Sequence, residues 1–167
     1  MTIKIRSHSP DDTFSIGEEI GRQLRGNEII FLKGELGAGK TLLTKGIAKA
    51  LHIDPEYVVS PSFTLINEYR GDCKHDSVNS FDHNDDDCHR LIHMDLYRLG
   101  PSIGCDFPEI DDYIDEGVIV VEWAQFLEPV YFKLNRSIVV TMHLVEENED
   151  SRILEINTAL KLKIQYP

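Results

Sequence analysis

The chain has 167 residues, 41% apolar and 28% charged, with a net charge of −12. That length suits one domain with its own core. The charge argues against a nucleic-acid-binding surface, because phosphate backbones are held by clustered Lys and Arg, but it permits protein partners with basic faces. No apolar run approaches the roughly 18 residues of a membrane span, and the first residues lack the apolar stretch of a signal peptide. Three cysteines at irregular spacing, Cys73, Cys88 and Cys105, suit free thiols in a reducing compartment. A cytoplasmic protein that does not enter membranes is expected.

Residues 2–6 alternate like a short edge strand. Ser9-Pro10-Asp11-Asp12 is a helix start, with a cap residue, a proline at the first helical position and acids on the positive end of the dipole. Phe14, Ile16, Ile20 and Leu24 carry that helix to about Arg25, and Gly26-Asn27 ends it. Ile29-Ile30-Phe31-Leu32 reads as a strand buried on both faces, the mark of a parallel central sheet. Helical spacing resumes over 41–51. Residues 60–69 read as a loop leading into a strand. In 71–90, Asp, His, Asn, Ser and Cys dominate, which predicts a polar surface insertion. A strand and its exit follow over 91–99, then a short acidic helix over 108–115. Val118-Ile119-Val120-Val121 is a second fully buried strand, closed by Glu122-Trp123. Residues 137–145 and 152–156 alternate as a hairpin. The expected fold is α/β, three-layered and P-loop NTPase-like, in one domain over 1–167. Its mixed central sheet is flanked by helices and carries a C-terminal antiparallel hairpin.

Gly34-Glu35-Leu36-Gly37-Ala38-Gly39-Lys40-Thr41 fits G-x-x-x-x-G-K-[ST] at every fixed position. Glycines let the backbone take positive φ and approach phosphates closely. Successive N–H groups then face one concavity at the positive end of the next helix. Lys40 supplies a point charge between β- and γ-phosphates, and the Thr41 hydroxyl can ligate magnesium. The context is the one this motif requires, a buried strand before it and an amphipathic helix after it.

Hydrolysis also needs a metal-holding acid and a group to orient water. Asp95, in His93-Met94-Asp95-Leu96-Tyr97-Arg98-Leu99, and Glu122 both end apolar strands. Ligands gather at the carboxyl ends of strands in doubly wound sheets, so both acids can face a γ-phosphate. The alternatives are a structural cap for Asp95 and an Arg or N–H partner for Glu122. Ser60-Pro61-Ser62-Phe63-Thr64 has the composition of a loop that closes on phosphate, or of an ordinary turn. Trp123 suits core or rim packing, a partner face or nucleotide gating. No N-K-x-D and no D-x-x-G occurs, which excludes the GTPase pattern and leaves adenine as the default base.

These blocks (G-E-L-G-A-G-K-T, S-P-S-F-T-L-I-N-E-Y, H-M-D-L-Y-R-L and V-E-W, in this order) resemble the TsaE (YjeE) family over about residues 8–125. The resemblance implies a small ATPase of tRNA threonylcarbamoyladenosine synthesis, with ATP and magnesium as cofactors. It implies action beside the TsaD and TsaB proteins, which attach the threonylcarbamoyl group to the adenosine next to the anticodon of ANN-reading tRNAs. tRNA would then be met only through the complex. Carried over by position, Leu36, Gly37, Ala38, Gly39, Lys40 and Thr41 bind the nucleotide phosphates, and Lys40, Asp95 and Glu122 serve catalysis. Thr41 and Glu122 hold magnesium, with Asp95 a further candidate ligand. Ser60, Ser62 and Thr64 form a switch loop, Trp123 sits beside the site, and residues 11–13 and the strand near Arg152 flank the adenine.

Two features depart from the family. The 71–90 stretch is longer than usual, and its His75, His83, His89, Cys73, Cys88 and 85–87 acids match no zinc template. Glu109 stands where the family commonly has glycine before its acidic helix. Two other readings share the phosphate loop. One is a small-molecule kinase, although such kinases usually carry an arginine-rich lid and 71–90 holds only Arg90. The other is a nucleotide-gated binding module without catalysis.

Overall fold

The computed structural model describes residues 1–72, 89–100, 108–127 and 135–164. In chain order the elements are β1 (Thr2–Ser7), α1 (Pro10–Gly21), β2 (Ile29–Gly34), α2 (Lys40–Ala50), β3 (Ile66–Arg70), β4 (Arg90–Asp95), α3 (Pro108–Tyr113), β5 (Val118–Glu122), β6 (Ser137–Leu144) and β7 (Arg152–Thr158). The strands form one sheet in the order β1-β7-β6-β2-β5-β4-β3. Its centre, β6-β2-β5-β4, is parallel, and antiparallel pairings close both sides: β7 and β1 beyond β6, and β3 beyond β4. The expected mixed sheet, buried β2 and β5 and C-terminal hairpin are all present. Most of the 71–90 insertion (73–88), including Cys73, His75, His83, 85–87 and Cys88, lies outside the described residues, as does Cys105. Arg90 begins β4 and pairs with Glu68 and Glu116, so it is an edge-strand anchor. Glu109 lies inside α3, within the helix expected over 108–115.

Two faces of the sheet bury two cores. Ile30, Leu32, Leu91, Val118 and Val120 point to the side covered by α1 and α2, while Ile29, Phe31, Ile92, Met94, Ile119 and Val121 meet Ile110 of α3 and Leu127. Strand alternation generates both sets, because successive side chains face opposite ways.

The start of α1 is as expected. The Ser9 side chain accepts from the Asp12 N–H at 3.1 Å and Pro10 opens the helix. Its end is not: α1 stops at Gly21, four residues before Arg25. The Glu28 carboxylate explains the early stop. It accepts from the backbone N–H groups of Arg25, Gly26 and Asn27 at 2.9–3.2 Å, which draws that segment into a tight nest at the head of β2.

α1 and α2 are pressed together through glycines. A Cβ on Gly46 would lie 2.1 Å from the Phe14 carbonyl oxygen, and one on Gly17 would lie 2.3 Å from that of Leu43. Backbone thus meets backbone, and α2, which begins at Lys40 of the glycine loop, is fixed against the sheet. Gly46→Ala should destabilise the fold by about 2 kcal/mol through overpacking, lowering the melting temperature by about 4–8 °C. Lys45→Ala, one residue away and partly exposed, should change stability by no more than about 0.5 kcal/mol. Thermal and urea unfolding check both.

Candidate functional site

The loop between β2 and α2 is bent by Gly34, Gly37 and Gly39, whose φ angles are +149°, +78° and +94°. An L-residue rarely adopts these values, so the glycines of the motif are required by the turn itself. Arg152 of β7 straps the loop from behind. Its guanidinium donates to the carbonyls of Ala38 at 3.2 Å and Gly37 at 3.0 Å, and also to Ser151 and Glu149. A trans peptide points its N–H opposite to its C=O, so the Gly39 N–H faces away from Arg152. The resemblance placed this strand beside the adenine; in the structure Arg152 holds the loop's outward carbonyls. Thr13 also lies against the loop, its Cγ2 3.5 Å from the position a Cβ on Gly39 would take.

Within the loop, Lys40 is almost wholly buried and donates to the carbonyls of Gly34 at 3.0 Å and Glu35 at 2.8 Å. Its ammonium also lies 3.9 Å from the Trp123 ring centroid, a cation–π contact. Burial holds the Lys40 pKa below the ordinary lysine value, and the charges of Glu122 and Asp95 push it back up.

The two strand-end acids converge on that lysine. Asp95 and Glu122 are register partners across the β4–β5 ladder, each 2% exposed, on the face that carries α2. Distinct donors satisfy each one. Glu122 Oε2 accepts from the Thr41 hydroxyl at 3.1 Å, and Oε1 faces His93 Nε2 at 2.8 Å. Asp95 Oδ1 accepts from the Tyr97 N–H at 2.9 Å, and Oδ2 takes the hydroxyls of Ser62, at 3.0 Å, and Ser60. A cavity of about 520 Å³ opens onto this set, and Lys40, Thr41, Ser60, Asp95, Glu122 and Trp123 all reach it.

Most of the residues singled out in the sequence thus meet. Leu36 lies exposed at the rim, and Ala38 is buried with its carbonyl on Arg152. Thr64 does not join Ser60 and Ser62; its hydroxyl donates to Asn67 at 2.9 Å. Phe63, 81% exposed, stacks under the Arg98 guanidinium at 4.1 Å. Trp123 has a left-handed backbone, φ +59°, with its ring against Tyr97 at 4.7 Å and Phe126 at 6.0 Å. That conformation is rare for a bulky residue and marks a constrained position at the cavity wall. Sequence reasoning passed over His93 and Tyr97. The available signal was a histidine inside an otherwise apolar strand, which must find a partner to be buried there.

The oxygens of Thr41, Glu122 and Asp95 are hard donors of the kind magnesium prefers. Among the described residues no cluster of three or more His, Cys, Asp and Glu could hold a metal by itself. Magnesium asks for less, typically one or two carboxylates completed by phosphate and water oxygens. The residues therefore fit it.

A parallel strand, a glycine loop, a helix and two strand-end acids on one cavity define a P-loop NTPase-like α/β protein. The profile of the family described as "Threonylcarbamoyl adenosine biosynthesis protein TsaE" matches residues 7–154. The chain belongs to the TsaE family. It is 37% identical over 144 residues to the tRNA threonylcarbamoyladenosine biosynthesis protein TsaE of Aquifex aeolicus, covering 84% of this chain and 86% of that one. Its identity to the Bacillus subtilis protein of the same description is 34% over 130 residues, covering 75% and 69%. The crystal structure of Bacillus subtilis YdiB superposes with a TM-score of 0.62 at 28% identity, covering 95% of this chain and 86% of that one. Among the described residues no helix is long and apolar enough to cross a membrane.

If Arg152 fixes the loop, Arg152→Ala should speed amide exchange at Ala38, whose N–H donates to the Glu35 carbonyl at 3.2 Å, by about tenfold or more, the loss expected for charge-assisted bonds worth about 1.5–3 kcal/mol. Exchange in β2 should not change. Hydrogen–deuterium exchange of the unliganded protein checks this, and unchanged protection of the loop would contradict it.

Proposed function

We propose that this chain is a slow, magnesium-dependent ATPase that supports a TsaB–TsaD complex in threonylcarbamoylation of the adenosine beside the anticodon of ANN-decoding tRNAs. One observation carries the reading: Lys40, Thr41, Asp95 and Glu122 converge from a glycine loop and two adjacent strand ends on a single cavity. A glycine-rich turn without a ligand would not need two buried acids beside a buried lysine. Family membership supports the tRNA-modification role. The net charge of −12 suits a cytoplasmic partner protein that leaves tRNA to the rest of the complex.

These groups hold one another in the structure, and each bond can be exchanged for one to substrate. Lys40 leaves the carbonyls of Gly34 and Glu35 for β- and γ-phosphate oxygens, whose charge also offsets the burial that lowers its pKa. Thr41 and Glu122 would hold magnesium, which when bound neutralises charge developing on the phosphate oxygens. Asp95 Oδ2, held by two serine hydroxyls, can exchange them for a new partner. It accepts a hydrogen bond from the attacking water and orients it toward the γ-phosphorus. Ser60 and Ser62, released from Asp95, turn with their loop toward the γ-phosphate, which makes the loop responsive to which nucleotide is bound. Trp123 packs along Lys40 and keeps water from that side.

Asp95→Asn should bind nucleotide within about threefold of the wild type but lose about 100-fold or more in turnover, the scale of a positioned base. Lys40→Ala should weaken nucleotide binding itself. Steady-state phosphate release and calorimetric titration check both, and wild-type turnover in Asp95→Asn would overturn the assignment. TsaB and TsaD should retain the chain on a column with ATP and lose it without. Retention that ignores nucleotide would contradict the ATP-dependent partnership.

A further inference from the structure

We infer that His93 is a positioning residue that fixes the Glu122 carboxylate in the orientation needed to ligate magnesium; this rests on the ATPase reading above. His93 is fully buried in β4, two residues before Asp95 and on the same face. Its register partner is Val120, so the imidazole lies one diagonal step from Glu122, with Nε2 2.8 Å from Oε1. Its other nitrogen, Nδ1, is buried and meets no hydrogen-bond partner among the described residues.

That asymmetry fixes the tautomer. A hydrogen on Nε2 is donated to the carboxylate and leaves Nδ1 a bare lone pair. A hydrogen on Nδ1 alone would strand a buried N–H and turn a lone pair toward Glu122. Orphaned buried N–H groups are rarer than unsatisfied acceptors. Packing alone does not account for the residue either. A leucine of similar bulk would fill the site without leaving a polar nitrogen unpaired in an apolar strand. The ring is therefore explained by what it does to Glu122. It holds Oε1 on the inner side of the carboxylate, which leaves Oε2 turned toward the Thr41 hydroxyl at 3.1 Å. Oε2 is the oxygen that a cation bound at Thr41 would meet, while Oε1 stays on His93. Groups that hydrogen-bond a ligating carboxylate in this way set its geometry and its affinity for metal.

The test compares the wild type with His93→Leu, which removes the donor, and His93→Gln, whose amide can reach the same carboxylate oxygen. ADP binding is followed through Trp123 fluorescence, once in EDTA and once across a magnesium titration, with thermal unfolding to certify the fold. His93→Leu should keep its EDTA affinity for ADP within about twofold yet require about tenfold or more magnesium at the midpoint, the usual scale for losing such a support. His93→Gln should recover most of that loss. If His93→Leu does not fold, His93→Asn, whose amide falls short of Glu122, carries the same prediction. A wild-type magnesium midpoint in the donor-less variant, or equal losses in His93→Leu and His93→Gln, would overturn this inference alone. A wild-type chain whose ADP binding ignores magnesium would overturn the ATPase reading together with it.

Discussion

Glu122 ends β5 as a buried carboxylate, directly across the ladder from a second one, Asp95. Buried carboxylates side by side are costly unless each finds hydrogen-bond donors of its own. The fold meets this constraint by dividing the available donors. Thr41 and His93 attend Glu122, Ser60, Ser62 and the Tyr97 N–H attend Asp95, and the Lys40 ammonium sits near both. Five segments of the chain are brought to one place by that division: the phosphate loop with the start of α2, the 60–64 loop, β4, its exit and β5.

The parallel centre of the sheet makes the convergence possible. β2, β4 and β5 run the same way, so their C-terminal ends open on one side of the molecule. Helix α2 starts at that edge and cannot drift, because Gly46 and Gly17 allow α1 and α2 to touch backbone to backbone. Arg152 then ties the loop to the hairpin at the other side of the sheet. Leu65 and Trp123, both bulky and both with positive φ, flank the acids. Such strain persists only where the surroundings over-determine it, and it gathers at functional sites.

Much of this was legible in the sequence. The glycine loop announces itself by pattern, and continuous apolar runs gave β2 and β5, because strands buried on both faces carry no alternation to disguise them. Asp95 and Glu122 stood out as acids closing apolar strands. What lay beyond reach depended on pairing across the sheet. The register that puts His93 a diagonal step from Glu122 is a property of two strands 29 residues apart, and neither strand encodes it alone. Arg152 is 114 residues from the carbonyl it holds at Ala38, so its role was invisible to local spacing. The end of α1 was misjudged for a local reason of another kind. Leu24 continues the helical apolar pattern, but the Glu28 carboxylate competes for the backbone N–H groups that follow and wins. Thr64 was grouped with Ser60 and Ser62 by composition, whereas its hydroxyl turns to Asn67.

Lys40, Thr41, Asp95 and Glu122 each hold another protein group. On the proposed function, ligand binding is an exchange of partners, with Thr41 giving up Glu122 and the serines giving up Asp95. A crystal structure of the chain with magnesium and a non-hydrolysable ATP analogue tests this most directly. The account predicts phosphates in the 34–41 loop and a cation about 2.1 Å from Thr41 Oγ1, with Glu122 turned to it through Oε2. A nucleotide seated elsewhere, or a cation bound while Thr41 and Glu122 keep their mutual hydrogen bond, would contradict it.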